Sequence, residues 1–157
     1  MKDKIVLITP DKTLQELEAK AYGKEDLLQQ LLSDYPDLLA GYQMNEANPR
    51  RWLLVAREMG IADDLDTSER WSLDHLFLDQ DGTPTLVEVK RSTDTRVRRE
   101  VVGQMLDYAA NAVVYWPAGD IRRLFEARCE SDGLRADEEI AVLLGVDLGD
   151  EESIARF

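Results

Sequence analysis

Hydrophobic and polar positions follow two different periods along this chain, and together they predict helices and strands. Over residues 24–34, leucines recur every three or four residues with acidic and amide side chains opposite them, which predicts an amphipathic helix that ends before Pro36. Apolar, largely β-branched residues at 5–9 predict a short strand at a sheet edge. A second apolar run at 52–55 predicts a buried strand, which we expect Gly60 and the acidic stretch at 63–66 to end.

A β-hairpin is the most informative element of this pattern. Two strand-like runs, 71–78 and 85–91, flank Asp81-Gly82, a dipeptide typical of tight hairpin turns. Symmetric pairing about Gly82 predicts three facing pairs: Leu78 with Leu86, Leu76 with Glu88, and Asp74 with Lys90. Because side chains alternate between faces, all three pairs share one face, and the charged residues gather at the open end.

A long helix is predicted at 95–112, followed by helices at 121–129 and 138–144. In the long helix, Gln104 and Tyr108 lie beside a predicted core stripe that consists of Val101, Val102, Met105, Leu106 and Ala109. The mixture of helices and strands predicts an α/β fold.

Composition narrows the chemistry that this fold can carry. The 157 residues have the length of a single domain, and 19 Lys and Arg against 32 Asp and Glu give a net charge of −13. Nucleic acid would therefore have to bind at a local basic patch. Cys129 and His75 are the only residues of their types, which excludes an intramolecular disulfide and multi-histidine or cysteine metal sites. No apolar run is long enough to span a membrane, so we expect a cytoplasmic protein.

Asp74, the triplet Glu88-Val89-Lys90 and Gln104 on the following helix resemble the PD-(D/E)XK nuclease superfamily, over roughly residues 25–111. The resemblance implies a restriction-endonuclease-like fold with a mixed central sheet flanked by helices and a core at 24–112. It implies a metal-dependent nuclease that hydrolyses phosphodiester bonds, with DNA favoured over RNA, and a prokaryotic subgroup of that superfamily.

The site residues have distinct expected roles. Two carboxylates, Asp74 and Glu88, and the backbone carbonyl of Val89 suit Mg²⁺ or Mn²⁺, while Lys90 orients or activates water. The resemblance adds Glu25 as a ligand through water, and Gln104 as a group that binds a phosphate or the water. An arginine cluster beside this site is expected to contact the nucleic-acid backbone; it comprises Arg91, Arg96, Arg98 and Arg99.

The chain differs from the family pattern at one position, and the family pattern continues past the last residue of the chain. Leu73 stands where the family often has proline, which leaves the carboxylate of Asp74 untouched. The subgroup has a further helix and strand beyond Phe157, so the chain could be a piece of a longer protein. Proteins of this fold often cut both strands as dimers, which makes a homodimer a further expectation.

Each site residue also has a plainer interpretation. The charged hairpin residues could form a solvated ion pair, Glu25 could simply favour a helix N-terminus with Asp26 as the alternative ligand, and Gln104 could be an ordinary boundary residue. The arginine cluster could likewise be a solvated charge run.

We expect three further residues to serve packing: Tyr108, Cys129 and His75, whose position in the strand directs it to the face opposite Asp74. The alternative function is a non-catalytic module of the nuclease fold that binds nucleic acid or a protein partner.

Overall fold

The computed structural model describes residues 5–17, 24–62, 69–91 and 97–157. Within these ranges the strands are β1 (Ile5–Ile8), β2 (Leu14–Leu17), β3 (Trp52–Ala62), β4 (Glu69–Asp79) and β5 (Pro84–Val87). The helices are α1 (Glu25–Asp34), α2 (Gly41–Met44), α3 (Val97–Tyr115), α4 (Ala118–Asp132), α5 (Ala136–Leu144) and α6 (Glu151–Arg156), with a 3₁₀ turn at Pro36–Leu39. None of the helices described is both long enough and apolar enough to cross a membrane.

The strands form two separate antiparallel sheets, one of β1 and β2 and one in the order β3-β4-β5. This confirms the α/β prediction. The mixed sheet implied by the family resemblance is not found in the described ranges, where every strand pairs with its neighbour in sequence. Such neighbours are joined by short connections, which favour antiparallel pairing, whereas parallel strands need a long crossover.

The first sheet confirms the strand predicted at 5–9 but adds β2, which the sequence pattern did not predict. The prediction that Gly60 helps to end β3 is wrong, since Gly60 pairs with Ser72 inside the sheet, but the strand does end at Ala62, directly before the acidic stretch. Pairing with β4 along nearly its whole length carries β3 through the glycine, so the ladder of backbone hydrogen bonds outweighs the poor strand propensity of Gly60.

The β4-β5 turn corrects the predicted register. The amide of Gly82 donates to the carbonyl of Asp79 at 2.9 Å, and the amide of Asp79 donates to the carbonyl of Thr83 at 3.1 Å. Gly82 has a φ of 73°, so the loop holds three residues with glycine in the left-handed position. The pairing is therefore centred on Asp81, and the observed pairs are Leu78 with Pro84 and Leu76 with Leu86.

Side chains of the three-stranded sheet enter two hydrophobic clusters. The larger cluster joins the sheet to the helices that follow it and includes Leu53, Val55, Leu73, Leu76, Tyr108, Phe125, Cys129 and Ile140. The smaller cluster contains Trp52, Leu54 and Phe77. Cys129 is only 1% exposed, which confirms its packing role, and burial raises the pKa of its thiol.

Helix α3 buries a different side from the one predicted. It continues to Tyr115, and its most buried described residue is Tyr108, which is fully enclosed. Val102 and Leu106 are 58% and 66% exposed, and Ala109 is exposed too, so the predicted stripe is wrong at these positions. The hydroxyl of Tyr108 donates to the carbonyl of Ser72 at 3.1 Å, and this bond allows the aromatic ring to enter the core.

Candidate active site

Asp74 connects three segments of the chain. Its Oδ1 accepts a hydrogen bond from Nε2 of Gln29 in α1 at 2.7 Å. Its Oδ2 accepts one from the backbone amide of Val89 at 2.6 Å. The carboxylate at the middle of β4 is thereby held against both α1 and the segment that follows β5, as the predicted convergence requires.

Glu88 follows the last residue of β5, and its side chain is 3% exposed. Its Oε1 accepts a hydrogen bond from Nζ of Lys90 at 2.5 Å, whereas its Oε2 is buried with no hydrogen-bond partner among the described residues. Burial raises the pKa of Glu88, and the negative charge of Asp74 adds to this, while Lys90 opposes it. A buried carboxylate oxygen without a hydrogen-bond partner is energetically costly, and a bound cation is one group that would satisfy it.

Lys90 remains a cation at neutral pH. Burial by itself would lower the pKa of Lys90, but the hydrogen bond to Glu88 and the charges of Glu88, Asp74 and Glu25 outweigh it and raise that pKa. The amine can therefore stabilise negative charge on a bound group. The protonated amine is poorly suited to remove a proton, because its nitrogen lone pair already binds one.

Glu25 is the first residue of α1 and faces the same segment. Its Oε1 accepts a hydrogen bond from the backbone amide of Arg91 at 2.9 Å, and Nε of Arg91 lies 3.8 Å from it. The alternative, Asp26, turns to β3 and pairs with Arg57 at 2.6 Å. The structure thus separates the two acidic residues, and a ligand role for Glu25 stays a prediction.

The side chain of Gln104 contacts Tyr108, which lies one helical turn further along α3. Its Nε2 donates to the hydroxyl of Tyr108. Burial raises the pKa of Tyr108, the bond from Gln104 lowers it, and the negative charge of Glu88 contributes to the rise. The packing role of Tyr108 is confirmed, whereas phosphate or water binding by Gln104 stays a prediction.

His75 is fully buried against α1, which confirms its predicted packing role. Its Nε2 lies 2.9 Å from the carbonyl of Gln29 and 3.1 Å from Oγ of Ser33. Because a carbonyl only accepts, Nε2 carries the proton. Burial lowers the pKa of His75, so the neutral imidazole holds α1 on the sheet.

The basic cluster is only partly described. Arg91 is exposed beside Glu25. Arg98 and Arg99 lie in the first turn of α3, and their side chains are outside the described residues, as is Arg96 altogether. Contact of these arginines with a nucleic-acid backbone stays a prediction.

Gln29 is the site residue that the sequence pattern missed. The periodicity placed it merely on the polar side of α1, although its position four residues after Glu25 puts both on one helix face. That spacing was the available signal.

Carboxylate oxygens are the donors that this site offers to a metal ion. No group of three or more His, Cys, Asp or Glu side chains within the described ranges is arranged to hold one. Asp74 and Glu88 nevertheless provide two carboxylates joined through Val89, and the free Oε2 of Glu88 fits a hard cation that prefers oxygen ligands.

Comparison with models of protein families, with curated proteins and with solved structures gives no match.

Proposed function

We propose that this chain is a divalent-metal-dependent nuclease of the PD-(D/E)XK type, with DNA as the favoured substrate. The observation that carries the proposal is the buried Oε2 of Glu88, which has no hydrogen-bond partner among the described residues and lies beside Asp74 and a charged Lys90. A solvated ion pair would leave both carboxylate oxygens of Glu88 in water, whereas Oε2 is buried.

The chain's own groups divide the work of phosphodiester hydrolysis. Asp74, Glu88 and the carbonyl of Val89 would hold Mg²⁺ or Mn²⁺, which supplies a Lewis acid and an activated water. Hydrolysis forms a bond from the water oxygen to phosphorus and breaks one phosphorus–oxygen ester bond, and the proton that the water loses is balanced by protonation of the leaving oxygen from solvent. The protonated amine of Lys90 stabilises the negative charge that develops on the phosphate oxygens. Gln104 and the arginines would bind neighbouring phosphates.

The test is cleavage of single-stranded, double-stranded and circular DNA and of RNA in Mn²⁺. We expect activity that chelation by EDTA abolishes, no cleavage above background with Glu88→Gln, and a loss of about 100-fold or more with Lys90→Ala. The matched control is Glu126→Gln, because Glu126 also pairs with a cation, Arg122 at 2.8 Å, but lies exposed on α4. Full activity in Glu88→Gln or Lys90→Ala would overturn the proposal.

A non-catalytic module of the same fold is the second candidate, and the net charge of −13 favours it, because such acidity suits a protein partner better than a nucleic acid. Tight Mn²⁺ binding without hydrolysis of any of these polynucleotides would select this candidate.

A further inference from the structure

One face of α1 carries three polar residues at intervals of one helical turn. Glu25, Gln29 and Ser33 are four residues apart and therefore lie above one another on the helix. Each contacts the site or its supporting strand: Glu25 the amide of Arg91, Gln29 the carboxylate of Asp74, and Ser33 the ring of His75. The middle residue is the one that contacts a predicted metal ligand directly.

The contact from Gln29 completes the fixation of Asp74. One carboxylate oxygen accepts from Nε2 of Gln29 at 2.7 Å, and the other accepts from the amide of Val89 at 2.6 Å. With one donor on each oxygen, rotation of the carboxylate breaks a hydrogen bond. A carboxylate has about four lone-pair positions, so two of them stay open to a cation.

The amide of Gln29 is itself oriented by its neighbours. Its Oε1 accepts a hydrogen bond from Nη2 of Arg57 at 3.3 Å. A flipped amide would direct its NH₂ group at the guanidinium and its oxygen at Asp74, so that like groups would meet. Arg57 is fixed in turn by Asp26 at 2.6 Å and by Gln30 at 2.7 Å.

The backbone of Gln29 is fixed as well. Its carbonyl accepts a hydrogen bond from the buried imidazole of His75 at 2.9 Å, and Oγ of Ser33 donates to the same carbonyl at 3.1 Å. The backbone and both ends of the side-chain amide are therefore held, which is the condition for a residue that transmits a fixed geometry.

We propose that Gln29 is the positioning residue for Asp74, which it holds in the orientation needed to bind the divalent cation. This inference rests on the proposed nuclease function. Gln29 acts through Asp74 and does not touch the substrate. Residues that hydrogen-bond a metal ligand commonly change metal affinity or activity by about 10- to 100-fold when they are replaced.

The experiment compares Gln29→Met with Gln30→Met in the full chain. Gln30 is the same residue type at the next position and also contacts Arg57, but its amide donates to Asp34 and not to Asp74. For each protein we would measure the Mn²⁺ dissociation constant by calorimetry and kcat and KM for DNA cleavage, after circular dichroism has confirmed folding. Gln29→Asn is the second variant, since it keeps a polar amide but is one methylene too short to reach.

We expect both Gln29 variants to bind Mn²⁺ about 10-fold more weakly or worse and to lose kcat, while KM for DNA stays at the wild-type value. A purely structural role would lower stability without this split. Gln29 variants that match Gln30→Met in Mn²⁺ affinity and kcat would overturn the positioning role alone. Wild-type protein that neither binds Mn²⁺ nor cleaves would instead overturn the nuclease function, and this inference with it.

Discussion

The two β-hairpins of this chain share one turn design but differ in what surrounds them. In the β1-β2 turn, the amide of Lys12 donates to Thr9 at 2.8 Å and Thr9 donates to Thr13 at 3.0 Å, with Lys12 at a φ of 65°. The β4-β5 turn repeats these two bonds, with Gly82 at a φ of 73° in the place of Lys12. The shared turn therefore explains why the strands pair in both hairpins, but it does not explain how the two hairpins differ.

Burial separates the two hairpins. Every residue of β1 is exposed, whereas β4 contributes fully buried side chains to both faces of its sheet, among them Leu76 and Phe77. A third strand and covering helices provide the low-polarity surroundings in which a carboxylate such as Glu88 changes its pKa. A turn is therefore enough to produce a hairpin, whereas the buried surroundings of Glu88 come from packing.

Truncation of one large side chain in each hairpin should change the free energy of unfolding by very different amounts. Phe77→Ala should lower the free energy of unfolding by about 3–5 kcal/mol, because it leaves a cavity beside Trp52 and Leu54. Leu7→Ala in β1, where the side chain is exposed, should change it by less than about 0.5 kcal/mol. Urea unfolding followed by circular dichroism measures both. Equal losses would contradict the contrast.

A pH titration probes the buried hairpin, because the chain's single histidine lies there. The pKa of His75 lies below its ordinary value of 6.5, so the unfolded chain binds the proton first as the pH falls. The free energy of unfolding should therefore decrease below about pH 6.5, by at most about 1.4 kcal/mol per pH unit.

The control for this titration is His75→Gln, which retains a donor but does not titrate. Glu88, whose pKa is raised, contributes the opposite slope above its ordinary value of 4.5, and it does so in both proteins. The difference between the two stability curves thus isolates His75. Parallel curves from pH 7 to pH 5 would show that the imidazole is not held neutral by burial.

The smallest effect concerns the shared turn. Gly82→Ala should cost about 1 kcal/mol from the left-handed backbone alone, since an added Cβ would meet no atom within 4 Å. Lys12→Gly should instead relieve strain at the equivalent position, which slower hydrogen exchange in β1 and β2 would report. Urea unfolding measures the first change, and a neutral result there would show that a side chain in the left-handed position of this turn causes no strain.

The same pair of turns explains which elements could be predicted. Asp81-Gly82 marks a hairpin in the sequence, whereas Lys12 in the same conformation gives no glycine signal, and β2 was missed. The predicted register placed Gly82 at the centre, although a glycine in the left-handed position of a three-residue loop lies at its end. Val102 and Leu106 were assigned to the core because periodicity cannot weigh them against Tyr108.

Local rules are enough to predict helix α1, the β4-β5 hairpin and the spacing that puts Asp74, Glu88 and Lys90 near one another. These rules are the helical and strand periods and the preference of glycine for a left-handed turn. The contact of Gln29 with Asp74 and the burial of one Glu88 oxygen without a partner among the described residues are visible only in the folded chain. Such contacts join groups far apart in sequence, and their geometry depends on how the helices and the sheet pack together.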